Sequence, residues 1–95
     1  MKLTEDQLKQ IEELSALFLS PREISCLIGV KHDHIIDEYF DQYSEIYQYY
    51  FRGKTNSKLE LRKKVIPLAK LGSPQAQSLT EQYIKEQEQE ELLDG

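Results

Sequence analysis

The stretch SPREISCLIGVKHDHII, residues 20–36, decides how this chain folds. Ser20 with Glu23 three residues later is a capping box, in which each side chain satisfies the other's free backbone N–H. Pro21 occupies the first helical position, where its missing N–H costs nothing, and Gly29 supplies the left-handed stop. A short helix is thus marked at both ends, and a second begins at His32 or Asp33. Two helices joined by so short a turn meet at a steep angle, so the first must present a small residue to the second. Ser25 holds that position. Ile35, six residues after Gly29, is the apolar side chain expected to point back into the core, with Ile24, Ile28, Val30 and Tyr39 completing the cluster. The spacing is that of a helix-turn-helix. The competing reading is a three-helix packing unit with no nucleic acid. Cys26, beside Ile24, Leu27 and Ile28, is expected to pack in the core as a small hydrophobe.

Helical signals continue on both sides, with apolar residues recurring three and four apart and no sustained two-residue alternation. Upstream, Thr4 and Gln7 form another capping box, and Leu8, Ile11, Leu14, Leu17 and Phe18 make one stripe ending at Ser20. Downstream, Ile35, Ile36, Tyr39, Phe40 and Tyr43 define a third helix that closes near Tyr43. A fourth, from Ser44 to Leu71, would be about 40 Å long, with Tyr47, Tyr50, Leu61, Val65 and Leu68 along one side. Gly53 weakens it by about 1 kcal/mol relative to alanine, and Pro67 predicts a kink. In LGSPQA the chain reverses, with Gly72 as stop, Ser73 as cap and Pro74 opening a fifth helix that buries Ala76, Leu79, Tyr83 and Ile84. Beyond Glu86 the apolar stripe is lost and fraying is expected. The fold class is all-α: a three-helix helix-turn-helix unit over residues 1–43, a long-helix/short-helix antiparallel hairpin over 44–86 that serves oligomerisation, and an acidic tail over 87–95, together one compact domain.

The 95 residues, 39% hydrophobic, suffice for one small core. No apolar run approaches the roughly 18 residues needed to span a bilayer, and the N-terminus lacks a signal-peptide pattern, so a cytoplasmic protein with no membrane partner is expected. The net charge of −5 conceals three blocks: residues 1–51 carry four basic and ten acidic side chains, 52–70 seven basic and one acidic, and 71–95 one basic and six acidic. Segregation of this kind bears on partners and association, not on the fold.

The reading helix is the difficulty. His32, Asp33, His34, Asp37, Glu38 and Asp41 face away from the expected core, whereas groove-reading helices usually bring lysine or arginine because phosphate contacts supply most of the affinity. Lys31 is the one basic residue beside it. The basic block on the fourth helix is the other candidate. A turn at Gly72 and Ser73 sets Lys64 near Glu81, Lys58 near Glu86 or Glu88, and Lys54 near Glu90 or Glu91, leaving Arg62, Lys63 and Lys70 free for a partner. In YFDQYSEIYQYYF, residues 39–51, the aromatics suit packing more than base stacking, because Asp41 and Glu45 make the segment acidic. Tyr47, Tyr49, Tyr50 and Phe51 exceed what so short a chain can cover and are the expected oligomer or partner interface. His32, His34, Asp37 and Asp41 have no specific metal spacing, and no nucleophile with a positioned base or phosphate-binding glycine loop is present. No metal, cofactor or enzymatic activity is expected.

The order of elements, together with YYFRGKTNSKLELRKKVIPLAKLGSPQAQSLTEQYI and above all its RGK, LRK and LAKLGSPQA segments, resembles the small subunit of phage terminases and related prophage proteins. The resemblance covers most of the chain. It implies an oligomer, often a ring, whose helix-turn-helix domains bind double-stranded viral DNA when packaging begins and hand it to a large ATPase and nuclease subunit. By that match Lys31, His32 and His34 are candidate DNA contacts and the hairpin from Tyr47 to Tyr83 assembles subunits. The alternative expectation is a helical protein-interaction module whose helix-turn-helix is purely structural.

Overall fold

A computed structural model describes residues 2–94. Among these the chain is all-α, with five helices, α1 (Glu5–Ser15), α2 (Pro21–Ile28), α3 (His32–Tyr39), α4 (Glu45–Lys70) and α5 (Pro74–Asp94). Two compact units divide between Lys58 and Leu59, inside α4. The first therefore continues past Tyr43, the boundary expected from the sequence.

The helix starts follow from local chemistry. Thr4 Oγ1 accepts from the Gln7 N–H at 3.1 Å while the Gln7 side chain accepts from the Thr4 N–H at 2.9 Å. Ser20 and Glu23 repeat the exchange at 3.2 and 2.9 Å. Leu3, just before the first cap, is buried together with Leu8, the hydrophobic staple that fixes the entry of the chain. Gly29 takes φ 79°, and the N–H groups of Gly29 and Val30 close onto the carbonyls of Cys26 and Ser25.

The core of the first unit joins Leu3, Leu8, Ile11, Ile24, Ile28, Ile35, Tyr39 and Ile46, with Leu14, Leu19, Val30, Tyr49 and Tyr50 packed at its edge. Several expectations are corrected here. The first helix stops at Ser15, not Ser20, because the chain turns left-handed at Phe18 (φ 63°), whose N–H bonds to the Ser15 carbonyl at 2.9 Å. Leu17 is consequently 71% exposed and Phe18 half-exposed, and it is Leu19 that returns to the core. The third helix stops at Tyr39, so Phe40 and Tyr43 are exposed. Ser44 closes this corner: its hydroxyl donates to the Glu38 carbonyl and accepts from the Tyr47 N–H at 3.0 Å, which caps α4. Cys26 is exposed rather than buried. At 100° per residue it lies about 150° from the middle of the arc occupied by the buried Ile24, Ser25 and Ile28.

On α4 the buried face is Ile46 and Gly53, with Tyr49 and Tyr50 half-buried between them. Gly53 is where α4 meets α1, since a Cβ there would collide with the Glu12 carbonyl and the Ser15 hydroxyl. It is a point of close approach as well as a weak helix former.

In the second unit α4 ends with Gly72 at φ 101°, and the N–H groups of Gly72 and Ser73 bond to the carbonyls of Ala69 and Leu68 at 3.0 and 3.1 Å. Ser73 caps α5 through the Ala76 N–H at 3.3 Å, and the Gln77 side chain donates to the Ala69 carbonyl at 3.1 Å, so α5 returns antiparallel to α4. Ala76 alone is buried among the described residues of this unit. Leu61, Leu68, Leu79 and Ile84 are exposed, against expectation, and α5 stays helical to Asp94 instead of losing order after Glu86. Two helices of this length have too little facing surface to enclose four large side chains.

Candidate nucleic-acid interface

One buried hydroxyl links α2 to α3. Ser25, fully buried on α2, donates to the Pro21 carbonyl at 2.8 Å and lies 3.4 Å from both Tyr39 Oη and His32 Nδ1 on α3. A larger side chain there would push the helices apart, and an apolar one would strand the buried Tyr39 hydroxyl. Burial raises the Tyr39 phenol above its ordinary pKa, and nearby Tyr50 adds to the rise. The rings of Tyr39 and Tyr50 meet edge to face at 5.4 Å, which ties α3 to α4. Ile35 is buried where the motif requires it.

Along α3, Lys31 occupies the N-cap without a side-chain cap bond and is exposed, His32 is half-buried, and Asp33, His34 and Asp37 are exposed. The outward face is therefore acidic in the folded protein as in the sequence. Arg22, exposed at the second position of α2, adds a cation that the sequence reading overlooked. Its place just inside the capped start of the motif was the available signal.

The other basic candidates lie in the second unit. Arg62 is not free: its Nη2 donates to Glu86 Oε2 at 2.8 Å, and its guanidinium sits 4.4 Å above the Tyr83 ring. This pair, not Lys64 with Glu81, is the cross-helix ion pair among the described residues of the unit. The planar guanidinium can stack on the ring and bond the carboxylate together, which an ammonium cannot. Lys63 lies 3.6 Å from Glu60 in an exposed pair along α4. Lys70 is exposed in the last turn of α4, where its charge complements the helix dipole.

Of the aromatic candidates, Tyr47 and Phe51 stack face to face at 5.4 Å, with Phe51 half-exposed. They line a shallow groove with Gln48, Arg52, Thr55 and Asn56. Tyr49 lies beneath Arg52, and Tyr50 is partly covered by Lys54, 5.8 Å from its ring centre, a different role from the expected ion pair. Tyr50 belongs to the core edge as much as to any interface.

Among the described residues no three histidine, cysteine or carboxylate side chains come close enough to hold a metal ion, and no helix is long and apolar enough to cross a membrane. No protein-family model, curated protein or solved structure matches the chain.

Proposed function

We propose that this chain is a non-enzymatic, cytoplasmic DNA-binding protein that recognises duplex DNA through α2 and α3 and works as an oligomer, in the manner of a phage terminase small subunit. One observation carries the reading: a short helix ended by left-handed Gly29 crosses α3 on the fully buried Ser25, with Ile35 locked beneath. This is the geometry that presents a helix N-terminus to the major groove. Arg22 and Lys31 are the phosphate contacts at that surface. His32 and His34 lie on the reading helix. Lys63 and Lys70 add positive charge elsewhere on the chain, while Arg62 is committed to Glu86.

Assembly answers the weakness of an acidic reader, because linked copies convert later contacts into intramolecular ones. It is supported by the second unit, which leaves Leu59, Leu61, Leu68, Leu71, Leu79 and Ile84 exposed, and by the half-exposed Tyr47–Phe51 stack.

The test is a titration of labelled duplex DNA at low and physiological salt, with mass measured by light scattering in the same buffers. Affinity that falls steeply with salt, appears with an oligomer and weakens when Lys31 is changed to glutamate is the expected result. A second reading, a helical protein-interaction module, draws on the acidic outward face of α3 and on exposed Phe40 and Tyr43. Absence of duplex binding at low salt would favour it.

A further inference from the structure

We infer that α3 reads the exocyclic amino groups of cytosine and adenine in the major groove, with His32 Nε2 and the Asp33 carboxylate as the accepting atoms. This rests on the DNA-binding reading above and gives the acidic helix a task.

The argument is a count of protons at Ser25. A hydroxyl has one hydrogen to give and two lone pairs to receive. Ser25 Oγ spends its hydrogen on the Pro21 carbonyl at 2.8 Å, the shortest of its three contacts. Its two remaining neighbours, Tyr39 Oη and His32 Nδ1, both at 3.4 Å, must therefore donate to it. Tyr39 has its hydroxyl buried and needs that acceptor. His32 Nδ1 must carry a hydrogen, since a bare nitrogen would set lone pair against lone pair. In the neutral imidazole this leaves Nε2 unprotonated, an acceptor. Among the described residues His32 is half-buried and its Nε2 has no hydrogen-bond partner yet is not fully buried, so that nitrogen is available.

His32 is the first residue of α3 and the exposed Asp33 the second, the positions from which a reading helix reaches base edges. Both present acceptors. In the major groove adenine offers its N6 amino group and cytosine its N4 amino group, whereas guanine and thymine offer carbonyl oxygens that an acceptor repels. The composition that weakens attraction to phosphate thus selects among bases.

Two measurements on the full chain test this in mildly alkaline buffer. Nitrogen-15 NMR of labelled histidine should find His32 protonated on Nδ1; protonation on Nε2 would overturn the inference whatever the protein binds. Selection from a randomised duplex pool at low salt should enrich neighbouring adenines or cytosines on one strand. Replacing such an adenine by purine, which lacks the amino group, should weaken wild-type binding about tenfold and leave the His32→Ala variant nearly unaffected. Asp33→Asn, an exposed change that spares the core, should relax the preference at its own position by supplying a donor. Enrichment of guanine or thymine at the positions these variants control would overturn the inference and leave DNA binding standing. A pool in which no duplex is retained would remove both.

Discussion

Gly53, in the first half of α4, faces the main chain of Glu12 on α1 with no room for a side chain between them. Ser15, whose buried hydroxyl donates to the Glu12 carbonyl at 3.0 Å, forms the other wall. Alanine is the better helix former by about 1 kcal/mol, so in a solvated helix Gly53→Ala would stabilise. Here the obstruction is backbone, which cannot rotate away, and the substitution should destabilise by about 1–3 kcal/mol. Urea unfolding decides the sign, and a raised midpoint would show that the two helices do not meet at this point.

Ser25→Ala should cost about 1–3 kcal/mol, the penalty for leaving a buried donor unsatisfied, because Tyr39 loses its acceptor. Near-ultraviolet circular dichroism of the tyrosines together with chemical unfolding would register the loss. Wild-type stability after this change would mean that Tyr39 finds another partner.

Stability should also decline in alkali. Burial raises the phenol pKa of both Tyr39 and Tyr50 in the folded chain. The unfolded chain releases these protons first, near the ordinary tyrosine value of about 10, so the contribution is fully present below that pH and is lost as pH rises through the folded values. Tyr39→Phe should flatten the alkaline decline in a series of unfolding midpoints. An unchanged slope would assign the effect to Tyr50 or to other groups.

Cys26 is exposed on α2, so a disulfide reagent should modify it completely in the native protein, without denaturant and without loss of helicity. Reaction that waits for unfolding would restore the buried thiol expected from its apolar neighbours.

The Arg62–Glu86 pair lies at the surface, and a double-mutant cycle with Arg62→Ala and Glu86→Ala should return a coupling of about 0.5–1 kcal/mol. Adding Tyr83→Leu should lower the cost of Arg62→Ala further, since the guanidinium also rests on that ring. A coupling indistinguishable from zero would make the contact incidental to the hairpin.

Much of the fold was legible because its punctuation is local. Thr4 with Gln7, Ser20 with Glu23, Gly29, and Gly72 with Ser73 act through partners within a few residues, and each sits where the sequence placed it. The Ser25–Gly29–Ile35 spacing was legible for the same reason. The ends of α1 and α3 were not, since apolar residues beyond them continued the helical period while the chain turned at Phe18 and left the helix at Phe40. Phe18 takes a conformation for which glycine is the usual signal, so nothing in its side chain announced the stop.

The sequence by itself determined five helices, the capped starts of α1, α2 and α5 and the two glycine turns, because those depend on which backbone N–H and carbonyl groups lack a partner within one turn. The tertiary structure decided which faces are covered. It exposed Cys26 and Tyr43, buried Ile46, set Gly53 against α1, gave Tyr39 its acceptor in Ser25 and took Arg62 out of the free positive charge. Each of these depends on atoms far away in the chain, and periodicity specifies a side chain's angle about its own helix but not what stands opposite it.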